Sequence, residues 1–384
     1  MNTVFERPSL AQRLRPLVQG FDQPLMLLFL LLVGMGLFTM YSVGFDHGTR
    51  FSAHARNMVL AAVLMVVVAQ VPPQRLMALA LPLYTVGLAL LVATALFGIT
   101  KKGATRWLNV GVVIQPSEIM KLAVPLALAW WFQRREGQMR WVDWGVAAAL
   151  LMVPVLLVAK QPDLGTAILV LAGGVYVLFF AGLWWRLIIP VLLVMVLGVG
   201  GLVLSEDTIC QPDVQWPGMR EYQKHRVCTL LDPTSDPLGK GFHILQSMIA
   251  IGSGGLAGKG FMSGTQTHLE FIPERTTDFV FAGFAEEFGL MGAGLLLLAL
   301  GGLIMRGLWI AGQAPMLFGR LLAGALSMSV FTYVFVNLGM VSGILPVVGV
   351  PLPFISYGGT AMVTLGLSLG MLISVGRSRG MLMR

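Results

Sequence analysis

Asp278 ends the stretch Phe271-Ile-Pro-Glu-Arg-Thr-Thr-Asp278 and stands at the mouth of a long apolar run that begins at Phe279. A carboxylate at that position is costly to desolvate, which makes it a functional candidate, and the chemistry open to it is proton transfer. The competing reading is an N-cap for the helix that follows, since Asp is a favoured cap. Glu286 and Glu287 lie about two and a half turns deeper in the same run. Three carboxylates along one span, at roughly 2.5 to 3.5 kcal/mol each on insertion scales, require partners.

Further charged groups recur where apolar runs begin. Gln115-Pro-Ser-Glu-Ile-Met-Lys121 opens one of them, and Pro116 suits a helix start. Glu118 and Lys121 are spaced i,i+3 on one helical face, so each neutralises the other at a membrane edge. Lys160 and Asp163 repeat the spacing in Lys160-Gln-Pro-Asp-Leu-Gly-Thr166, where a functional pair and a purely structural ion pair are both open. Arg106-Trp107 reads either as a bidentate anion donor beside an aromatic or as an interfacial belt pair. His243 and His268 fall in no recognisable metal-ligand spacing.

The glycine-rich stretch Gly252-Ser-Gly-Gly-Leu-Ala-Gly-Lys-Gly260 is not a nucleotide loop. A P-loop counted back from Lys259 would need Gly at Ser253 and Ser or Thr at Gly260. Its loose dinucleotide pattern has no βαβ unit around it. Glycines there serve tight turns or a close approach of the backbone.

The elements that position these groups are membrane helices. Of 384 residues, 56% are hydrophobic and only 11% charged, against roughly 25% charged in a typical soluble domain. Apolar runs cover Pro24 to Met40, Asn57 to Val71, Leu76 to Phe97, Ile119 to Trp131, Val146 to Val158, Leu164 to Phe180, Leu187 to Leu204, Phe279 to Ile304, Leu321 to Val341 and Thr360 to Val375. With flanking residues these approach the roughly 20 residues of a full crossing. The expected fold is therefore an all-α polytopic membrane protein of about ten spans, with nine or eleven as alternatives, and one transmembrane domain over 1–384.

Charge sets the expected orientation. The first run follows a basic lead with Arg7, Arg13 and Arg15 and has no signal-peptidase pattern after it. Arg75, Arg134, Arg135, Arg140, Arg186, Arg306, Arg320, Arg377, Arg379 and Arg384 fall on the same side, which predicts both termini in the cytoplasm. The net charge of +8 is then mostly topology, and it points to anionic lipid rather than nucleic acid. All seven lysines depart from the rule: Lys101, Lys102, Lys121, Lys160, Lys224, Lys240 and Lys259 lie in or beside outward segments. Solvation of a loop accounts for Lys224, Lys101 and Lys102; for the others a need for cations outside is expected.

Two outward segments are long, about Gly98 to Ser117 and about Ser205 to Thr277. The second, taken as a large loop over 205–277, is too long to be structureless. Within it His243 to Gly252 has helix-like apolar spacing suited to the membrane interface. Cys210 and Cys228 both lie there, either as a disulfide in an oxidising periplasm or as two buried thiols. No internal repeat of the kind found in inverted-repeat transporters is evident.

Taken together, the segments resemble the RodA branch of the SEDS family (shape, elongation, division and sporulation) over most of the chain. The resemblance rests on Arg106-Trp107, Gln115 to Lys121, Gln161 to Thr166, Leu231-Asp-Pro233, Gln246-Ser247, Ile272 to Asp278, Glu286-Glu-Phe-Gly289, Asn337-Leu-Gly-Met340 and Pro351-Leu-Pro-Phe-Ile-Ser-Tyr-Gly-Gly359. Ala250 to Gly260 followed by Gly264-Thr-Gln266 looks like the elongation member more than its division counterpart FtsW. The two-cysteine insertion around Thr208 to Gly218 departs from the family pattern.

The resemblance implies a peptidoglycan glycosyltransferase of the bacterial inner membrane that polymerises lipid II at the periplasmic face during cell elongation. Asp278 matches the family's essential acidic residue and suits a general base. Arg106, Glu118, Lys121, Lys160, Asp163, Gln246, Glu274, Thr277 and Ser356 are the implied substrate-binding residues. A divalent cation, Mg²⁺ or Mn²⁺, would share the charge of a departing pyrophosphate. The implied partners are a class B penicillin-binding protein, which crosslinks the strands, and other membrane proteins of the elongation complex. The alternatives are a lipid-precursor flippase and a non-catalytic scaffold for a cell-wall transpeptidase.

Overall fold

The computed structural model describes residues 20–45, 48–101, 104–109, 111, 113–211, 214, 224, 228, 240–269, 271, 272 and 274–382. Each of the ten apolar runs forms a helix, as expected where lipid obliges the backbone to satisfy its own hydrogen bonds. They are α1 (Gln23–Val43), α2 (Arg50–Ala69), α3 (Pro73–Phe97), α4 (Pro116–Arg134), α5 (Trp141–Lys160), α6 (Leu164–Phe180) and α7 (Trp185–Leu204), then, after three shorter helices, α11 (Val280–Gly312), α12 (Leu317–Val341) and α13 (Gly359–Leu382). Among the described residues seven helices are long and apolar enough to cross a membrane. The chain is thus a polytopic helical membrane protein.

Helix starts follow local chemistry. Asp22 caps α1 by accepting from Leu25 N at 3.1 Å, Pro116 opens α4, and Asp163 caps α6 by accepting from Thr166 N at 3.3 Å. Asp22 also takes a two-armed bond from Arg306, at 2.8 and 2.6 Å, tying α1 to α11. Burial opposes the charged carboxyl of Asp22, yet the Arg306 and Leu25 hydrogen bonds prevail and hold it below its usual range.

Two packed cores meet along α12. The first joins α1, α2, α11, α13 and the loop at Val350 to Ile355 to the later turns of α12. The second joins α3, α4, α5 and α6 to the earlier turns of α12, through Phe318, Leu321, Leu322, Ala325 and Leu326. α12 is the spine between them.

The segment between α3 and α4 folds as an antiparallel meander of β1 (Ile99–Lys101), β2 (Ala104–Asn109) and β3 (Val113–Ile114). Of the segment 205–277, the described residues include α8 (Glu206–Ile209), α9 (Lys240–Gly254) and α10 (Thr265–His268); Leu231-Asp-Pro233 and most of 212–239 lie outside them. The expected helix around His243 is α9, which packs on α11. The glycine stretch continues from α9 and docks on α11 where that helix breaks at Gly289, with φ 63° and ψ −163°. Lys259 N and Gly260 N donate to Glu286 O and Glu287 O, while Leu290 N and Met291 N donate to Gly255 O and Leu256 O. The loop thus replaces the bonds that the broken helix cannot make for itself. A Cβ at Gly258 would stand 2.1 Å from Glu287 O, so glycine is required by backbone-to-backbone approach.

Cys210 and Cys228 are joined as a disulfide, with Cα atoms 5.6 Å apart. Lys224, inside the closed loop, is buried and donates to Gln211 O and Val214 O, both at 2.6 Å. It ties the loop together instead of solvating it. Replacing both cysteines by serine is expected to cost this segment about 3 kcal/mol of stability on the chain-entropy account, while polymer chemistry persists. Differential thiol labelling and thermal unfolding of the purified protein check this; full labelling of both thiols without reductant would exclude the bond.

Candidate functional site

The turn 274–279 that carries Asp278 is fastened on every side. Glu274 opens it in the left-handed region at φ 50°, and Thr277 Oγ1 donates back to Glu274 O and Oε2, each at 3.2 Å. Arg275 Nε donates to Val43 O at the end of α1, at 3.1 Å, and its guanidinium lies 5.4 Å from the Phe45 ring centroid. Arg50, the first residue of α2, donates to Thr276 Oγ1 at 2.8 Å and lies over the Tyr357 ring. Tyr357 N donates to Thr276 O at 2.8 Å. From α12, Asn337 Nδ2 donates to Asp278 O at 2.9 Å.

Asp278 itself is half-buried. The N-cap position of α11 belongs to Phe279 and carries no side-chain cap bond, so the cap reading of Asp278 fails. Its carboxylate faces the loop before α13: a Cβ built on Gly349, which sits at φ 74°, would lie 3.4 Å from Asp278 Oδ2.

A second polar cluster surrounds α4. Lys121 Nζ donates to Glu118 Oε1 at 2.6 Å and to the Tyr333 hydroxyl at 3.0 Å. Thr364 Oγ1 donates to Glu118 Oε2 at 2.9 Å. The expected i,i+3 pair is present, and it links α4 to α12 and α13. Asp163 is buried and is met by Arg106 Nη1 at 3.5 Å, Gln115 Nε2 at 3.0 Å and Thr166 N. Lys160 is exposed at the end of α5 and forms no ion pair with Asp163; the expected Lys160 and Asp163 pairing is replaced by Arg106.

The deeper carboxylates have their required partners. Glu286 is fully buried and accepts from Lys259 Nζ at 2.7 Å, Gln266 N at 2.8 Å, and Thr267 N and Oγ1 at 3.1 and 3.0 Å, which caps α10. Glu287 accepts from Ser42 Oγ, and His268 Nε2 lies 3.4 Å away. These groups fasten α10, α1 and the glycine loop to α11.

Of the remaining sequence candidates, Glu274 is exposed in the Asp278 turn and Gln246 is half-buried on α9. Ser356 is buried and closes a turn, accepting from Leu352 N at 2.8 Å. The structure therefore gathers Glu274, Thr277 and Asp278 in one turn, with Ser356 next to Tyr357 in the loop bonded to it. Arg106, Glu118, Lys121 and Asp163 form the other cluster. Tyr333 and Asn337, one turn apart on α12, connect the two.

Arg50, Tyr333 and Thr364 were missed by sequence reasoning, and Asn337 entered only as part of the motif Asn337 to Met340, with no role assigned. Arg50 carried a signal, since the orientation expected from the sequence puts it, like the lysines, in conflict with the positive-inside rule. Among the described residues no three His, Cys, Asp or Glu side chains converge to hold a metal.

Comparison with known proteins gives this arrangement a lineage. The chain is 49% identical over 359 residues to peptidoglycan glycosyltransferase MrdB of Escherichia coli K12, covering 93% of this chain and 94% of that protein. It is 36% identical over 283 residues to stage V sporulation protein E of Bacillus subtilis, covering 73% of each. Among solved structures, a chain of a peptidoglycan synthase complex that coordinates polymerisation and crosslinking superposes with a TM-score of 0.78 at 34% identity, covering 94% of this chain and 99% of that one. The rod-shape-determining protein RodA of Thermus thermophilus superposes with a TM-score of 0.69 at 29% identity, covering 94% of this chain and 98% of that one. Residues 23–380, which include both polar clusters and the spine between them, match the cell cycle protein family of FtsW, RodA and SpoVE, and the chain belongs to it.

Proposed function

We propose that the chain polymerises lipid II into glycan strands at the periplasmic face of the bacterial inner membrane during elongation, with Asp278 as general base. The broader activity is that of a peptidoglycan glycosyltransferase, as in its relatives from E. coli and Treponema pallidum. The observation that carries the finer reading is the half-buried Asp278 carboxylate, at the outer end of the bundle by the positive-inside rule, on a turn anchored to α1, α2, α12 and the loop before α13. Such anchoring holds a base in place for reaction.

In the reaction the acceptor's sugar hydroxyl attacks the donor's anomeric carbon and its proton passes to Asp278. The bond from that carbon to the lipid pyrophosphate breaks, and its electron pair leaves with the pyrophosphate. A single displacement inverts the anomeric centre. Arg50 and Arg106, both only partly buried, suit the departing negative charge. Lys121 suits it less, because it is buried and neutralised by Glu118. Mg²⁺ or Mn²⁺ would be held by one or two carboxylates plus substrate phosphates, and besides the base Asp278 this turn offers Glu274.

A class B penicillin-binding protein is the proposed partner, supported by the resemblance to a complex that couples polymerisation with crosslinking. Other membrane proteins of the elongation complex are proposed neighbours, with both termini in the cytoplasm. Purified full-length protein supplied with lipid II in liposomes is expected to yield glycan polymer. Transbilayer movement of lipid II with no polymer would replace this reading by a flippase.

A further inference from the structure

We infer that Asn337 is a positioning residue for the Asp278 carboxylate, an inference that rests on the reading of Asp278 as base. Asn337 is fully buried on α12. Its side-chain amide has two hydrogens, and Nδ2 reaches two carbonyls, Asp278 O at 2.9 Å and Val350 O at 2.8 Å. Those carbonyls belong to separate irregular segments, the turn entering α11 and the loop entering α13. One amide therefore sets the distance between the segment that carries the carboxylate and the segment that faces it.

What the clamp aligns is visible at the neighbouring residue. Gly349 precedes Val350, and the position of its missing Cβ lies 3.4 Å from Asp278 Oδ2. With the Val350 carbonyl fixed, the carboxylate faces the backbone at Gly349, where an added Cβ would stand against its oxygen. Asn337 Oδ1 has no hydrogen-bond partner among the described residues. An orphaned buried acceptor is costly, so packing alone would be better met by an apolar side chain of the same branched shape. The donating amide is the property that this site uses.

Asn337→Leu removes both donors while keeping the branched shape. In full-length protein, normalised to folded material, kcat for lipid II polymerisation is expected to fall roughly 10²-fold, the scale of a small misplacement of a reacting group, while KM changes less than about 2-fold. The acidic limb of the pH–rate profile, which reports the base, is expected to move. A merely destabilised protein would keep the original profile, scaled down by its folded fraction. Asn337→Gln, which keeps the amide on a longer stem, serves if the leucine variant does not fold, and a kcat loss with a displaced acidic limb is again expected. Unchanged kcat in the folded variant, or a loss with an unmoved profile, would overturn the clamp. If Asp278→Asn is inactive while that folded variant keeps normal kcat, only this inference falls; if Asp278→Asn is active, it is the base assignment that falls.

Discussion

Asp278→Asn is expected to give a folded, membrane-inserted protein whose polymerisation rate is lower by about 10² to 10⁴, the usual range for loss of a general base. The substitution is nearly isosteric, and the turn is fastened by groups other than the Asp278 carboxylate as well. Asn337 binds the main-chain carbonyl of Asp278, Arg275 binds Val43 O, and Thr276 joins Arg50 and Tyr357. The turn therefore keeps its shape while the carboxylate loses its capacity to take a proton. Glycan product per folded molecule, with thermal unfolding and detergent-phase size as controls, measures the effect. Near-normal synthesis by the folded variant would remove Asp278 from the mechanism and assign the proton to another group.

The same charges that suggest this experiment explain what was legible in the sequence. Apolar runs fixed the ten long helices because lipid admits little else, with boundary differences such as α4 starting at Pro116 rather than Ile119. The break at Gly289 was hidden inside one continuous run, because the hydrogen bonds that permit it come from Gly255 to Gly260, far away in sequence. The three short strands after α3 gave no periodic signal long enough to read. Ionised side chains in apolar surroundings announced Asp278, Glu118 and Lys121, since each needs a partner or a task. Tyr333 and Thr364 announced nothing, and Asn337 showed only within the motif Asn337 to Met340, because an uncharged polar residue in a span carries a far smaller penalty. The pairing of Lys160 with Asp163 misled for a geometric reason: the i,i+3 rule holds within a helix, and here Lys160 ends α5 while Asp163 caps α6.

Breaking the Glu118 and Lys121 pair is expected to be the largest purely structural effect. Their side chains are 12% and 7% exposed, so neither charge has ready access to water once its partner is gone. Removing one member of a buried pair typically costs about 3 to 5 kcal/mol, because the other charge is left stranded. Among the described residues, Lys121→Met leaves Glu118 with Thr364, and Glu118→Gln leaves the Lys121 ammonium with the Tyr333 hydroxyl and no carboxylate. The double variant strands neither charge and is expected to be less damaged than the sum of the singles, with a coupling of about 0.5 to 3 kcal/mol. Unfolding of the four proteins in matched detergent measures this. The loss should also reach polymerisation, because Lys121 bonds to Tyr333, one turn from Asn337 on the helix that both cores share. Strict additivity of the two single changes would show that Glu118 and Lys121 act independently, and polymerisation at the normal rate by destabilised singles would sever the proposed link between the α4 cluster and the Asp278 turn.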